Sequence, residues 1–292
     1  SDESGKVEPR RILDPACGSG HFVVGAIRAL SDGMAKTDTR NNVNLETLRG
    51  EVASKYVCGI DKNEVAVALT KMSVYLAVMR KDQVLPNIDN NIRCADSLRE
   101  FAGSEWKNGF DVVVGNPPYV NTKNLSKSDP ELKEYLAESG AFSTCKGCFD
   151  LYIPFIERSL KYFMKSGGRT AFVLPNKLMV ADYAEASREF IERNSSRVEV
   201  IDVSKLDVFK GVGVYPHLYI FRAKTDDSPS VRFVLEDAQA IVSGESFATF
   251  KTRTVIEELK IPSGAVWSAQ KKTRKGLAKL ESVCEIEGGI TG

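Results

Sequence analysis

The tetrapeptide Asn116-Pro117-Pro118-Tyr119 follows the apolar run DVVVG, and its residue types suit one kind of chemistry. An exocyclic amino nitrogen on a heteroaromatic ring is nearly planar, with its lone pair delocalised, so it is a weak nucleophile. Two acceptors placed tetrahedrally around it draw its hydrogens out of plane and favour the positive charge that develops, an effect of positioning and electrostatics. The Asn116 amide oxygen and the Pro117 carbonyl can be those acceptors. Pro117 and Pro118 fix φ at two successive positions and hold Asn116 extended, which preorganises both oxygens. Tyr119 offers a π-face to a base, with stacking worth about 1–3 kcal/mol. A target inside a duplex would have to be flipped out. The structural alternative is a strand ended by two prolines that cannot join the ladder. A chance match of these four residues in a chain of this length is on the order of one in a thousand.

A second constellation is the segment DPACGSGHF, with Asp14, Pro15, Ala16, Cys17, Gly18 and Gly20 in a turn between an apolar run and a helical one. The glycines let the backbone turn sharply and approach a ligand closely. A tight strand-to-helix turn explains a lone G-x-G equally well; the acidic residues at successive strand ends shift the reading. Asp14, Asp61 and Asp96 each close an apolar run, and ligands of open α/β sheets bind beyond the carboxyl ends of the strands. Three carboxylates make a poor phosphate site. A dinucleotide fold usually shows G-x-G-x-x-G with an acid about 20 residues on, whereas Asp61 lies 41 residues beyond Gly20. A cofactor with ribose hydroxyls and an ammonium group but no phosphate fits better, and S-adenosyl-L-methionine has those features. Asp61 would accept from the ribose, Asp96 from the adenine amino group, and Asp14 would face the ammonium.

The elements that must position these residues follow an α/β rhythm. Apolar runs at 11–13, 56–60, 92–95, 110–114, 170–174, 198–203 and 217–221 read as strands alternating with helical segments, the pattern of a doubly wound parallel sheet. In the helix after Asp61, the positions Val65, Ala68, Leu69, Met72, Leu76 and Met79 have the spacing of a core face. Asp61 with Glu64 is a capping-box-like start. Further helices are predicted over 150–165 and 183–193. Residues 31–54 and 120–148 read as polar interruptions, the second with little that looks like core, and loops that long are usually functional or disordered. TDDSPS after Lys224 reads as a linker, followed by a less regular region with a basic run at Lys271, Lys272, Arg274, Lys275 and Lys279.

Composition sets outer limits. The chain has 292 residues, 42% hydrophobic and 27% charged, which are globular proportions. Forty Lys and Arg against 39 Asp and Glu give a net charge of +1, so nucleic-acid affinity would have to be local. Six Cys form no disulfide framework, and Cys17, Cys58 and Cys94 fall in or beside apolar runs, as small buried residues of a protein in reducing cytoplasm do. No stretch approaches 18 apolar residues, so no membrane partner is expected. Cys145-x-x-Cys148 is a lone pair, and His21 and His217 lack ligand spacing, so no metal site is expected. Two His support a hydrolase triad poorly.

DPACGSGHF, Asp61, Asp96 in ADS, NPPY, FDLYIPFIERSL and GGRTAFVLPNKLM resemble, in that order, motifs I to VI of the gamma-class N6-adenine DNA methyltransferases, and are most similar to the catalytic domains of type IIG restriction-modification polypeptides and phage-resistance methylases. The resemblance implies an S-adenosylmethionine-dependent, Rossmann-like fold, a seven-stranded sheet with its last strand antiparallel. It implies site-specific methylation of adenine N6 in double-stranded DNA with a flipped base. It implies that Asp14 to Gly20, Asp61, Asp96 and Ser97 bind the cofactor, that Asn116 to Tyr119 bind the target adenine, and that Phe209 packs on that base. Residues 1–224 would then be the catalytic domain, lacking the upstream helical segment the family places over the methionine end. Residues 225–292 would be a linker and the start of a truncated target-recognition region that continues in the parent polypeptide; whether the parent also carries a nuclease domain stays open. An excised core of this kind is expected to bind cofactor and DNA weakly. Two other readings stay open: an NPPY enzyme acting on protein glutamine or RNA bases, and a catalytically inactive DNA-specificity module.

Overall fold

The computed structural model describes residues 10–37, 44–80, 84–99, 106–203, 216–225, 232–237, 255–259 and Trp267. The apolar runs form strands β1 (Ile12–Asp14), β2 (Val57–Asp61), β3 (Ile92–Cys94), β4 (Phe110–Gly115), β5 (Met164–Pro175), β6 (Ser195–Asp202) and β7 (Pro216–Ala223). Two further strands, β8 (Arg232–Asp237) and β9 (Val255–Leu259), lie beyond residue 224. One sheet runs in the order β3-β2-β1-β4-β5-β7-β6-β8-β9. Strands β1 to β5 pair in parallel, and β7 is antiparallel to both β5 and β6. The first seven strands are the expected mixed sheet with its last strand antiparallel. β8, parallel to β6, and β9, antiparallel to β8, extend that edge.

Alternation along the strands feeds two apolar layers, one on each face. Val57 joins a layer built with α1 (His21–Thr37), α2 (Leu45–Lys55) and α3 (Glu64–Val78), through Val23, Ile27, Val52 and Val74. Its neighbours Cys58 and Ile60 point the other way, into a larger layer. That layer is built with α4 (Thr122–Ser128), α5 (Pro130–Glu138), α6 (Tyr152–Arg158), α7 (Lys177–Val180) and α8 (Glu185–Asn194).

Several expectations need correction. The two polar interruptions are largely helical. Within 31–54, α1 continues to Thr37 and α2 buries Leu48, Val52 and Ala53, capped by Asn44. Within 120–148, α4 and α5 bury Leu125, Leu132 and Leu136, and Phe142 and Cys145 add to the core. Each short helix carries only one or two apolar residues per turn, too few to show a period. Asp61 does not cap α3: it ends β2, the chain bends at Lys62, and Asn63 is the cap, accepting from Val65 N and Ala66 N. The face of α3 is also reversed. Val67, Thr70, Val74 and Val78 are buried, whereas Val65, Leu69, Met72, Leu76 and Met79 are 47–67% exposed. The helix is apolar all round, so both faces have the spacing, and Thr70 selects the buried one by donating to the Gly18 carbonyl at 2.8 Å. The helix expected over 150–165 gives way after Arg158 to a π turn, Ser159–Phe163, and β5 then starts at Met164. Cys94 is exposed rather than buried. Among the described residues, no helix is long and apolar enough to cross a membrane.

Candidate functional site

The turn after β1 is built around two close approaches. Gly20 has φ +90°, and a Cβ there would stand 3.1 Å from the Thr70 backbone. Gly115, the last residue of β4, lies so near β1 that its Cβ would come 2.7 Å from Asp14 Oδ1. Glycine at 115 therefore lets the first acidic residue sit against the start of NPPY. Asp14 is buried, and its Oδ1 accepts from Ala16 N at 3.0 Å. Burial pushes its carboxyl up to about 7; the Ala16 N–H opposes the shift and the charge of Asp61 adds to it. Asp61 accepts from Gly18 N at 3.0 Å and Asn63 N at 2.9 Å, which fixes the loop on either side of it. Cys17 turns its side chain into the core against Gly59, and burial pushes its thiol up to about 12.

Beyond β3, Asp96 accepts from Leu98 N at 2.9 Å, and Ser97 Oγ donates to the Pro15 carbonyl at 2.5 Å, tying the acidic loop to the glycine turn. At the end of β4, Asn116 is exposed, Pro117 buried and Pro118 half-buried. Tyr119 Oη lies 2.5 Å from Asn116 Oδ1 and 2.9 Å from the Val173 carbonyl. Its ring meets Tyr152 edge-on at 6.3 Å. Burial raises the Tyr119 phenol above its ordinary value, which keeps it a neutral donor.

A cavity of about 270 Å³ joins these pieces. Of the residues singled out in the sequence, Pro15, Ala16, Asp61, Asp96, Ser97, Asn116 and Pro118 line it. Asp14, Cys17, Gly18 and Gly20 stand behind that lining as the turn's support, with Pro117 and Tyr119 flanking Asn116. Phe209 and the basic run at 271–279 lie outside the described residues. Sequence reasoning missed Lys62, Ala95, Leu98, Leu132, Leu151 and Phe155, which complete the wall. Leu151 and Phe155 are four residues apart at the start of α6, a helical pair inside a segment already marked by its motif. Leu132 sat in what read as a loop and gave no signal. Lys62 reaches Asp129, the N-cap of α5, at 3.4 Å, though both side chains are exposed enough for the pair to be weak. Cys145 is buried and Cys148 exposed, so the C-x-x-C pair does not converge; among the described residues no three His, Cys, Asp or Glu do.

The cavity residues fit S-adenosylmethionine. Carboxylates at two points of one edge can accept from ribose hydroxyls and an amino group, and Leu98, Leu132, Leu151 and Phe155 offer an apolar slot for a flat ring. Among the described residues Lys62 is the one cation in the lining, and the Gly18 N–H, which a phosphate would need, is already given to Asp61.

Comparisons with known proteins bear on the family and the fold. The sequence profile of the Eco57I restriction-modification methylase family matches residues 55–209. The restriction enzyme and methyltransferase RM.Eco57I of Escherichia coli is 25% identical over 321 residues, covering 97% of this chain and 31% of that protein. The methyltransferase M.BstVI of Geobacillus stearothermophilus is 27% identical over 233 residues, covering 78% and 40%. The chain thus spans about a third of the length of the curated relatives it matches. Among solved structures, the Type ISP restriction-modification enzyme LlaBIII bound to DNA shares the fold with TM-score 0.59 and 16% identity, over 79% of this chain and 18% of that one. The type IIG restriction endonuclease BpuSI does so with TM-score 0.53 and 20% identity, over 79% and 24%.

Proposed function

The chain belongs to the Eco57I restriction-modification methylase family, and from that premise we propose that it methylates the exocyclic N6 amino group of adenine in DNA, the target base being held outside the duplex. The observation that carries this reading is that Asn116 and Pro118 line the same cavity as Asp61 and Asp96, so Asn116, an acceptor for an amino group, opens onto a slot suited to the methyl donor.

S-adenosylmethionine supplies an electrophilic methyl group on a sulfonium. Asp61 and Asp96 hold its ribose and adenine ends, the apolar slot excludes water from the ring, and ionised Asp14 answers the ammonium. Asn116 Oδ1 and the Pro117 carbonyl accept the two hydrogens of the target amine, which frees its lone pair for attack. Tyr119 steadies Asn116 through its hydroxyl and presents its ring to the base, with Phe209 assigned to the base's other side. No protein base is required, because the methylated ammonium is acidic enough to lose its proton to water. With this chain near neutral, the target-recognition domain proposed for the parent polypeptide is the part expected to carry most of the phosphate-binding charge.

The test is transfer of tritiated methyl to DNA by the full-length parent, with mapping of the methylated base. Label on N6 of adenine supports the reading. Label on cytosine, on RNA alone or on protein glutamine overturns it, and so does no label anywhere.

A further inference from the structure

Leu151 and Phe155 line the cavity at the start of α6, and the two residues that close the same helix, Glu157 and Arg158, hold two separate segments next to its lining without lining it themselves. Glu157 is 1% exposed. Its carboxylate accepts from Ser143 N and Thr144 N, each at 2.9 Å, and from Ser143 Oγ at 2.9 Å and Thr144 Oγ1 at 2.7 Å. Ser143 and Thr144 follow α5, the helix that presents Leu132 to the cavity. Arg158 reaches the other way. Its Nε donates to the Ser97 carbonyl at 3.2 Å and a terminal nitrogen donates to the Arg99 carbonyl at 2.8 Å, while the guanidinium lies 4.0 Å from the centroid of the Tyr162 ring. Those carbonyls belong to the loop carrying Asp96, Ser97 and Leu98.

A carboxylate taken out of water is costly unless its lone pairs are filled, and here two backbone N–H groups and two hydroxyls fill them. The guanidinium fork spans two carbonyls, a geometry a lysine ammonium cannot reproduce. Two charged side chains, adjacent in sequence, are thus committed to the backbone of two separate segments that flank the lining of one slot. The loop held by Arg158 carries the carboxylate that would read the adenine amino group, and the segment held by Glu157 follows the helix that closes the slot over the ring. Small shifts of either wall change whether a flat ring is gripped and whether Asp96 meets its edge.

We propose that Glu157 and Arg158 are positioning residues that set the separation of the two cavity walls, and thereby the preference of the site for a cofactor carrying an adenine ring. The proposal rests on the reading of the cavity as the S-adenosylmethionine site.

The experiment is calorimetric binding to the full chain of S-adenosylhomocysteine and of S-inosylhomocysteine, in which a carbonyl oxygen replaces the exocyclic amino group. The unaltered protein favours the adenosyl compound by about tenfold or more, the worth of a hydrogen bond to a charged group. Arg158→Lys keeps the charge and loses the fork; it weakens the adenosyl compound about tenfold and changes the inosyl compound less than about threefold, so the preference collapses while cooperative melting persists. Glu157→Gln moves the preference the same way. A folded Arg158→Lys that keeps the preference overturns the proposal, as does unaltered protein that binds both compounds alike. If Arg158→Lys does not fold, Tyr162→Leu, which removes the ring beneath the guanidinium and leaves both carbonyls in place, lowers the preference by about threefold; an unchanged preference there overturns the proposal. Unaltered protein that binds neither compound, even at ligand concentrations that detect the weak binding expected of this chain, overturns the cofactor reading itself, which the other adverse outcomes leave standing.

Discussion

The carboxyl of Asp14, pushed up to about 7 mainly by burial, ties stability and ligand binding to pH in opposite senses. The native state holds a proton that the unfolded chain releases near the ordinary value of 3.8, so the stabilising contribution is greatest below about 4, declines as pH rises through about 7 and then levels off. An ammonium placed against Asp14 favours the ionised form. The affinity for S-adenosylhomocysteine is therefore expected to tighten between about pH 6 and 8, with proton release visible as a buffer-dependent binding heat. Asp14→Asn should flatten both profiles; an unaltered protein with a flat binding profile removes Asp14 from the ammonium's site. Asn116→Ala should leave cofactor affinity nearly unchanged and lower methyl transfer by about 10²–10³-fold, read as a fall in kcat. Gly115→Ala drives a methyl into the Asp14 carboxylate and should destabilise by about 1–3 kcal/mol in urea unfolding. That cost should shrink in an Asp14→Ala background, because the two sites share one contact. The gathering of Asp14, Asp61, Asp96 and NPPY at one edge was legible in the sequence because Asp14 and Asp61 end β1 and β2, Asp96 follows β3 by two residues and Asn116 follows β4 directly, and a parallel sheet brings its strand ends to one edge. Phe155 was not, since an apolar residue on a helix buried on every side bears no mark of the face that meets a cavity.

Among the elements, α3 shows where periodicity misleads. Its solvent face carries Val65, Leu69, Met72, Leu76 and Met79, so a pattern that weighs only hydrophobicity cannot tell the two faces apart. The deciding residue is polar: Thr70 reaches the Gly18 carbonyl, and Ser73 Oγ reaches the Ser19 carbonyl at 2.9 Å. The double change Leu69→Lys and Leu76→Lys should leave the melting temperature nearly unchanged and lower binding of a hydrophobic dye, whereas Val74→Ala, on the buried face, should cost on the order of 2 kcal/mol. Equal destabilisation by both would return the core to the opposite face. The short helix α5 depends on its cap. Asp129 accepts from Leu132 N at 3.0 Å and also meets Lys62, and Asp129→Ala should cost about 1 kcal/mol, most of it from the cap.

For the whole molecule, the sheet does not stop where the sequence rhythm does. β8 pairs onto β6 and β9 onto β8, and Trp267, 1% exposed, donates its indole N–H to Glu192 at 3.1 Å and its backbone N–H to the Met179 carbonyl at 2.9 Å. Neither feature was legible, because β8 and β9 are separated from the alternating units by polar segments, and a single tryptophan carries no period. A chain ending at residue 225 should expose the β6 edge and the face of α8 under Trp267, and should self-associate in light scattering while the 292-residue chain does not. The chain contains two tryptophans, and both are 1% exposed. Trp106 lies under the guanidinium of Arg93 of β3 and meets the ring of Phe110 of β4 at a tilt, while Trp267 sits against α7 and α8. Intrinsic fluorescence is therefore a two-colour clock for unfolding: Trp106→Phe leaves a single emitter that times release of the distal segment, and Trp267→Phe leaves one that times collapse of the β3–β4 end of the sheet.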